Sequence, residues 1–321
     1  MTIEPFPIRQ AKSVVNSKEL LRLRSNSRNN HIRACLALLF FLFACNPWIS
    51  AAELVLEKLD TVPVPAGEPG RPGQIPHSRV AHGSNDIAGA WLAMATDRYP
   101  HSVLGDSFEA SRLAVESRQG KFLILDLPPH RVFEDLQPRL IDLDGDGRDE
   151  IIVVESDTRL GASLSVYGIV DGLLAKRTAT PFLGRPNRWL NPLGVGDFDG
   201  DGKLDIALVA TPHIGGVLRL YHFLEPELSK FAEYTGVSTH SLGSTELGLG
   251  REVENAPRDQ LLLPDQSHRK MLLLEWTPDG WLKHDQVDLP DVLRSSLMPS
   301  GENRWKFRLR NNLHYEIRVD P

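Results

Sequence analysis

Residues Asp142–Val154 read DLDGDGRDEIIVV, and residues Asp197–Val209 read DFDGDGKLDIALV. Both place Asp at positions one, three and five, Gly at four and six, an acid at nine, and then an apolar run; their first aspartates lie 55 residues apart. Another step of 55 reaches Glu252 (EVENAPRDQLLL), which keeps acids at positions one and three and loses the rest. Upstream, Leu104–Val115 (LGDSFEASRLAV) falls into the same alignment with Asp106 as its surviving acid. Four copies of one unit are therefore expected.

Each loop precedes two short apolar runs. These are Leu113–Val115 with Phe122–Leu125, Ile151–Val154 with Leu164–Tyr167, Ile206–Ala210 with Val217–Tyr221, and Leu261–Leu263 with Met271–Leu274. They lack the alternation of a half-exposed strand and are too short for free helices, so they read as strands buried on both faces. A lead-in such as Arg139–Leu143 and an outer run such as Leu174–Thr178 bring each unit to about four strands. Four-stranded sheets repeating at this spacing predict an all-β fold, a β-propeller over residues 86–321. Five blades are favoured, with six as the alternative. Val292–Met298, Trp305–Arg310 and His314–Val319 supply three strands of the last blade, and Ala90–Thr96 (AWLAMAT) is expected to close the ring as the fourth. Residues 53–85, with Pro63, Pro65, Pro69, Pro72 and Pro76, read as a linker or extended arm.

Residues 1–52 hold a basic stretch ending at Arg33, the 12-residue apolar run Ala34–Cys45, then Asn46-Pro47 and Ser50-Ala51-Ala52. This order reads as a secretory signal peptide cut after Ala52. The alternatives are an uncleaved anchor, for which the run is short against the roughly 20 residues of a span, and a lipid anchor on Cys45. Both cysteines, Cys35 and Cys45, lie inside the leader, so a mature chain has no disulfide and no thiolate ligand. After Ala52 the chain carries 29 basic and 40 acidic residues, a net charge of −11. That acidity argues against a nucleic-acid partner. The expected location is periplasmic or extracellular, with no membrane span after cleavage.

Three carboxylates at alternate positions of a tight turn repel one another unless a hard cation satisfies them, and Gly at position six lets the backbone wrap around it. Two Ca²⁺ sites are expected: Asp142, Asp144, Asp146, Glu150 and the backbone carbonyl of Arg148 for one, and Asp197, Asp199, Asp201, Asp205 and the carbonyl of Lys203 for the other. Position twelve, where an EF-hand has its bidentate Glu, is Val153 or Leu208, which rejects that motif. At Glu252 an empty loop is expected, because Ala256, Pro257 and Gln260 replace a ligand, the Gly and the closing acid.

The DxDGDGxx[DE] loop with its following strand resembles the FG-GAP/VCBS repeat family, whose propellers are similar to the head of integrin alpha chains. The resemblance covers roughly residues 86–321, although the Phe-Gly and Gly-Ala-Pro signatures are absent in clean form. It implies a calcium-stabilised propeller for adhesion, recognition or scaffolding, with a protein or glycan partner, and it implies no reaction.

No nucleophile elbow, zinc-protease motif, P-loop or dinucleotide fingerprint is present, so a non-enzymatic module is expected. One alternative is a lectin-like propeller using Trp189, Trp276 or Trp281 at blade edges; another is a polysaccharide lyase or hydrolase. His82, Ser84 and Asp86 read as chance neighbours in a loop. Tyr99, His101 and Asp106 form a polar set that either lines the axial funnel or is satisfied by loop contacts, the latter being favoured. Arg304–Arg310 (RWKFRLR) alternates basic and apolar residues, as a strand with one solvated face would.

Overall fold

The computed structural model describes residues 52–60 and 70–320, and the expected leader with both cysteines lies outside them. Among the described residues every regular element is a β-strand, and no helix is long and apolar enough to cross a membrane. The chain begins with β1 (Glu53–Leu59), β2 (Ile87–Thr96), β3 (Glu109–Ser117), β4 (Phe122–Asp126) and the short β5 (Arg131–Phe133). Next come β6 (Arg139–Ile141), β7 (Glu150–Asp157), β8 (Gly161–Val170) and β9 (Leu173–Ala179). Two further sets follow: β10 (Leu190–Gly196), β11 (Asp205–Ala210), β12 (Val217–His222) and β13 (Ser229–Thr235), then β14 (Arg251–Val253), β15 (Gln260–Pro264), β16 (Lys270–Thr277) and β17 (Gly280–Asp288). The last strands are β18 (Met298–Gly301), β19 (Arg304–Arg308) and β20 (His314–Asp320).

Strands β10 to β13 and β14 to β17 form antiparallel meanders in sequence order. The meanders β2-β3-β4 and β6-β7-β8-β9 follow the same plan and are joined into one sheet by β5, which pairs with both β3 and β7. The sheets stack because their second strands are apolar on both faces. All residues of β7, β11 and β15 are buried. Successive side chains of a strand point to opposite faces. Ile151 and Val153 accordingly pack with Leu113 and Phe133 of the preceding meander, while Ile152 and Val154 pack with Leu208 of the following one. In the same way Ala207 and Val209 meet Leu261 and Leu263, and Leu262 faces the cluster around Phe307 and Ile317. The fold is thus all-β and propeller-like. Truncating one of these doubly buried leucines or isoleucines to Ala costs about 2–5 kcal/mol.

Three expectations about the first third of the chain are corrected. Glu53–Leu59 is not part of a linker: it pairs antiparallel with β20 through seven residues, from Glu53↔Asp320 to Leu59↔His314. The prolines begin only at Pro63, and ELVLEKL alternates well enough to bury Leu54 and half-bury Leu56. Ala90–Thr96 therefore does not complete the last sheet; it lies within β2 and pairs with β3. Likewise, Leu104–Val115 is not a loop followed by a second strand. It holds the β2–β3 connection and most of β3, the middle strand of its meander. The first unit's loop is His82–Asp86, after the Ala81 bridge to Ala90 and before β2, and Asp86 stands 56 residues ahead of Asp142. That loop keeps one acid, Asp86, which stands directly before β2, where Glu150 and Asp205 begin β7 and β11.

Strand β19 behaves as its alternation predicts: Trp305, Phe307 and the following Leu309 are buried, and Arg304, Arg308 and Arg310 are exposed.

Candidate metal centre

The two acidic loops join β6 to β7 and β10 to β11, at corresponding places in successive units. Asp142, Asp144 and Asp146 each offer an oxygen within 4.8 Å of the others, and so do Asp197, Asp199 and Asp201. The backbone arranges them. Gly147 N–H donates to Asp142 at 2.9 Å, Asp146 N–H to Asp144 at 3.2 Å and Arg148 N–H to Asp146 at 2.9 Å. In the second loop Gly202 N–H donates to Asp197 at 2.9 Å, Asp201 N–H to Asp199 at 3.0 Å and Lys203 N–H to Asp201 at 2.8 Å. Gly147 and Gly202 both sit at φ 83°, left-handed backbone that glycine adopts without strain.

The closing acids diverge. Glu150 Oε2 accepts Leu143 N–H at 2.7 Å, and Oε1 takes the guanidinium of Arg177, which also reaches Asp144 at 2.9 Å and Glu225 at 2.7 Å. Glu150 is thereby held beside the first triad and does not join its converging group. Burial pushes its carboxyl up to about 7, against the opposing pull of Leu143 N–H and Arg177. Asp205 does converge: with Asp199 and His222 it forms a third group of ligand atoms within 4.8 Å. His222 Nδ1 lies 2.9 Å from Asp205 Oδ1, and Phe198 N–H donates to Oδ2 at 3.3 Å. Burial raises this carboxyl to about 6, with His222 lowering it and Asp199 raising it.

Sequence reasoning missed Arg177 and His222. His222 is the register partner of Asp205 on the next strand, and Arg177 lies on β9, the outer strand of its sheet. Neither belongs to a local motif, and strand pairing is the signal that would have found His222.

The donors are hard carboxylate oxygens, and a 4.8 Å separation is about the span between ligands held at 2.3–2.6 Å on opposite sides of one centre. The residues present therefore fit Ca²⁺. At the Glu252 copy, Asp259 is engaged by Asn255 N–H at 3.0 Å and Asp197 N–H at 2.9 Å, so its carboxylate serves as a clamp on the Asp197 loop.

The remaining candidates are mostly structural. Tyr99 OH accepts Asn187 N–H at 2.8 Å, and His101 Nδ1 lies 2.5 Å from the buried Glu134. Asp106 accepts Phe108 N–H at 2.9 Å. Asp86 accepts Asp149 N–H at 2.8 Å, and Ser84 N–H donates to Asp149 at 3.2 Å, so that pair stitches two units together. Trp189 is not at a sheet edge: it is buried and donates to Glu134 O at 2.9 Å. Trp276 and Trp281 form an edge-to-face pair at 5.5 Å, half-buried against the β10–β17 cluster.

A family model described as an FG-GAP-like repeat matches residues 142–208, a stretch that contains both acidic loops. The chain carries an FG-GAP-like repeat there. No curated protein matches the chain. Among solved structures, the exotype rhamnogalacturonan lyase YesX is similar at 13% identity and TM-score 0.38, over 79% of this chain and 54% of that one. The chain thus spans about half the length of that enzyme. The WD40 domain of Toxoplasma gondii coronin is similar at 7% identity and TM-score 0.34, over 85% and 87% of the two chains. A luciferin-regenerating enzyme is similar at 12% identity and TM-score 0.26, over 84% and 96%.

Proposed function

We propose that the chain is an exported, non-enzymatic, calcium-braced β-propeller of five blades that serves as a recognition, adhesion or scaffold module for a protein or glycan. The observation that carries this reading is the pair of aspartate triads, built by the same backbone hydrogen bonds in successive units of an FG-GAP-like repeat. In the five-blade reading the last sheet, β18-β19-β20, takes its fourth strand from β1, so the two ends of the chain share one blade.

Calcium bound at the triads would fix the turn that enters each doubly buried strand and neutralise part of the acidic surplus. It has no role in bond-making here. Extracellular modules bind Ca²⁺ at about 10⁻⁴–10⁻³ M, and tenfold excess over the dissociation constant stabilises a fold by about 1.4 kcal/mol per site. Equilibrium dialysis with ⁴⁵Ca²⁺ tests the site, with about two ions per chain expected. Capture of envelope-fraction partners on the immobilised protein, with and without chelator, tests the role. Absence of bound calcium at millimolar concentration would remove the reading's foundation.

A further inference from the structure

The innermost strands of successive units face a common space. Segments of β6, β10, β14 and β18, with His77 and Arg79 ahead of β2, line a cavity of about 550 Å³. That size lies inside the range of about 300–1,000 Å³ typical of small-molecule sites. Leu136, Ile152, Leu193 and Ile206 make much of its wall apolar. Into this wall the sequence sets three arginines, Arg79, Arg139 and Arg251, against one carboxylate, Glu252.

The arginines are not equally satisfied. Arg139 is ion-paired to the buried Asp135 and donates to Gln137 O at 2.6 Å. Arg251 donates only to backbone carbonyls, Gly250 O at 3.1 Å and Leu297 O at 2.7 Å. Among the described residues neither Arg79 nor Arg251 forms an ion pair, whereas Arg112, Arg177 and Arg318 each do. Burial, followed by the charges of Arg79 and Arg139, holds Arg251 below the usual arginine range, with Glu252 pulling the other way. Glu252 is itself pushed up by burial and sits against bare backbone, since a Cβ on Gly194 would lie 2.2 Å from its Oε2. Arg251 is half-buried, and a guanidinium that has lost part of its water without gaining an ion pair is costly. In a chain whose surface is acidic, a basic surplus inside a partly apolar cavity concentrates anions there.

We propose that this cavity binds a small organic anion, one carboxylate or phosphate on an apolar body, with the guanidinium groups of Arg79 and Arg251 receiving the anionic group and the leucine and isoleucine wall receiving the rest. Guanidinium forks match both oxyanions bidentately, so the shared chemistry is the planar or tetrahedral oxyanion.

Isothermal titration of the intact protein with octanoate, hexyl phosphate and octanol tests this. At least one of the two anions binds, and octanol binds at least tenfold more weakly than it; which anion is preferred tells carboxylate from phosphate. Arg79→Glu weakens anion binding tenfold or more while leaving the melting temperature unchanged, because Arg79 is exposed and holds no ion pair. Arg310→Glu, in the exposed turn after β19, leaves binding at the wild-type level. The proposal is overturned if neither anion binds, if octanol matches the anions, or if Arg79→Glu keeps wild-type affinity. The titrations are run without calcium, so failure here leaves the calcium reading standing.

Discussion

Asp259 and Asp197 are joined twice across neighbouring units: the Asp259 carboxylate accepts Asp197 N–H at 2.9 Å, and Asp259 N–H donates to Asp197 O at 2.9 Å. Asp149 does the same work two units earlier, accepting the N–H groups of Ser84 at 3.2 Å, Asn85 at 2.8 Å and Ile87 at 3.1 Å. Position eight of one unit therefore closes the loop of the unit before. Asp149 is buried and serves three donors, and a donor left unsatisfied in the interior costs about 1–3 kcal/mol. Asp149→Ala should destabilise the fold by about 2–4 kcal/mol in urea unfolding, and Asp259→Ala by roughly half as much. Losses below about 0.5 kcal/mol from both substitutions would show that the unit interface does not depend on these clamps.

The metal reading makes a separable demand on the triads. In calcium, Asp144→Ala and Asp199→Ala should each lower the melting temperature and shrink its response to chelator, and the double variant should abolish that response. Arg177 already supplies a fixed positive charge to Asp144 and Glu150. Arg177→Gln should accordingly weaken the calcium-free protein more than the calcium-loaded one, widening the gap between the two melts. A wild-type melt that chelator leaves unmoved contradicts the assignment.

Part of this architecture was open to reading from the residues alone, because the pattern of an apolar run after a carboxylate turn is local. Ile151–Val154 and Ile206–Ala210 were identifiable as doubly buried strands from composition and length, and the triads from their spacing. What lay beyond reach depended on pairing between distant segments. Nothing in ELVLEKL marks β1 as the partner of β20, more than 250 residues away, and nothing near Asp86 signals that a loop with one remaining acid occupies the first unit's turn. Arg177 and His222 became visible only once register placed them opposite the loops.

At the opposite ends of the doubly buried strands from the acidic loops, His213 Nε2 lies 2.8 Å from His240 Nδ1, and His240 Nε2 lies 2.8 Å from Ser244 O. The carbonyl can only accept, so His240 Nε2 carries a proton and donates, which leaves Nδ1 to accept from His213. Both rings are neutral in this arrangement. Burial, then neighbouring histidines, lowers His213 to about 4, and burial, partly offset by the Ser244 carbonyl, lowers His240 to about 3. A histidine whose folded value lies below its unfolded value leaves stability intact above about pH 6.5 and removes it as pH falls towards the folded value. Glu109, raised to about 10 mainly by burial, and Glu134, also raised by burial, act in the opposite direction. The difference between variants is therefore the measurement. His240→Gln should reduce the dependence of unfolding free energy on pH, between about pH 4.5 and 5.5, by about 1.4 kcal/mol per pH unit, the value of one proton. An unchanged slope would mean that His240 is charged in the fold.

The last sheet depends on a strand from far earlier in the chain. Leu54 is buried in the cluster with Trp305, Phe307 and Ile317, and its N–H donates to Asp285 at 2.8 Å on β17, so β1 contacts two sheets. Leu54→Asp removes a buried leucine and places a charge in that apolar cluster, and it should cost at least the 2–5 kcal/mol typical of Leu→Ala in a core. Deleting residues 53–59 would leave β20 as an open edge with Tyr315, Ile317 and Val319 uncovered, and unpaired apolar edges recruit other chains. Sedimentation velocity should show the shortened protein associating where the chain starting at Glu53 does not, and urea should unfold it at a lower midpoint. The Glu53 start keeps the whole strand. A shortened protein that stays monodisperse and melts with the longer one would show that β20 closes its sheet without β1.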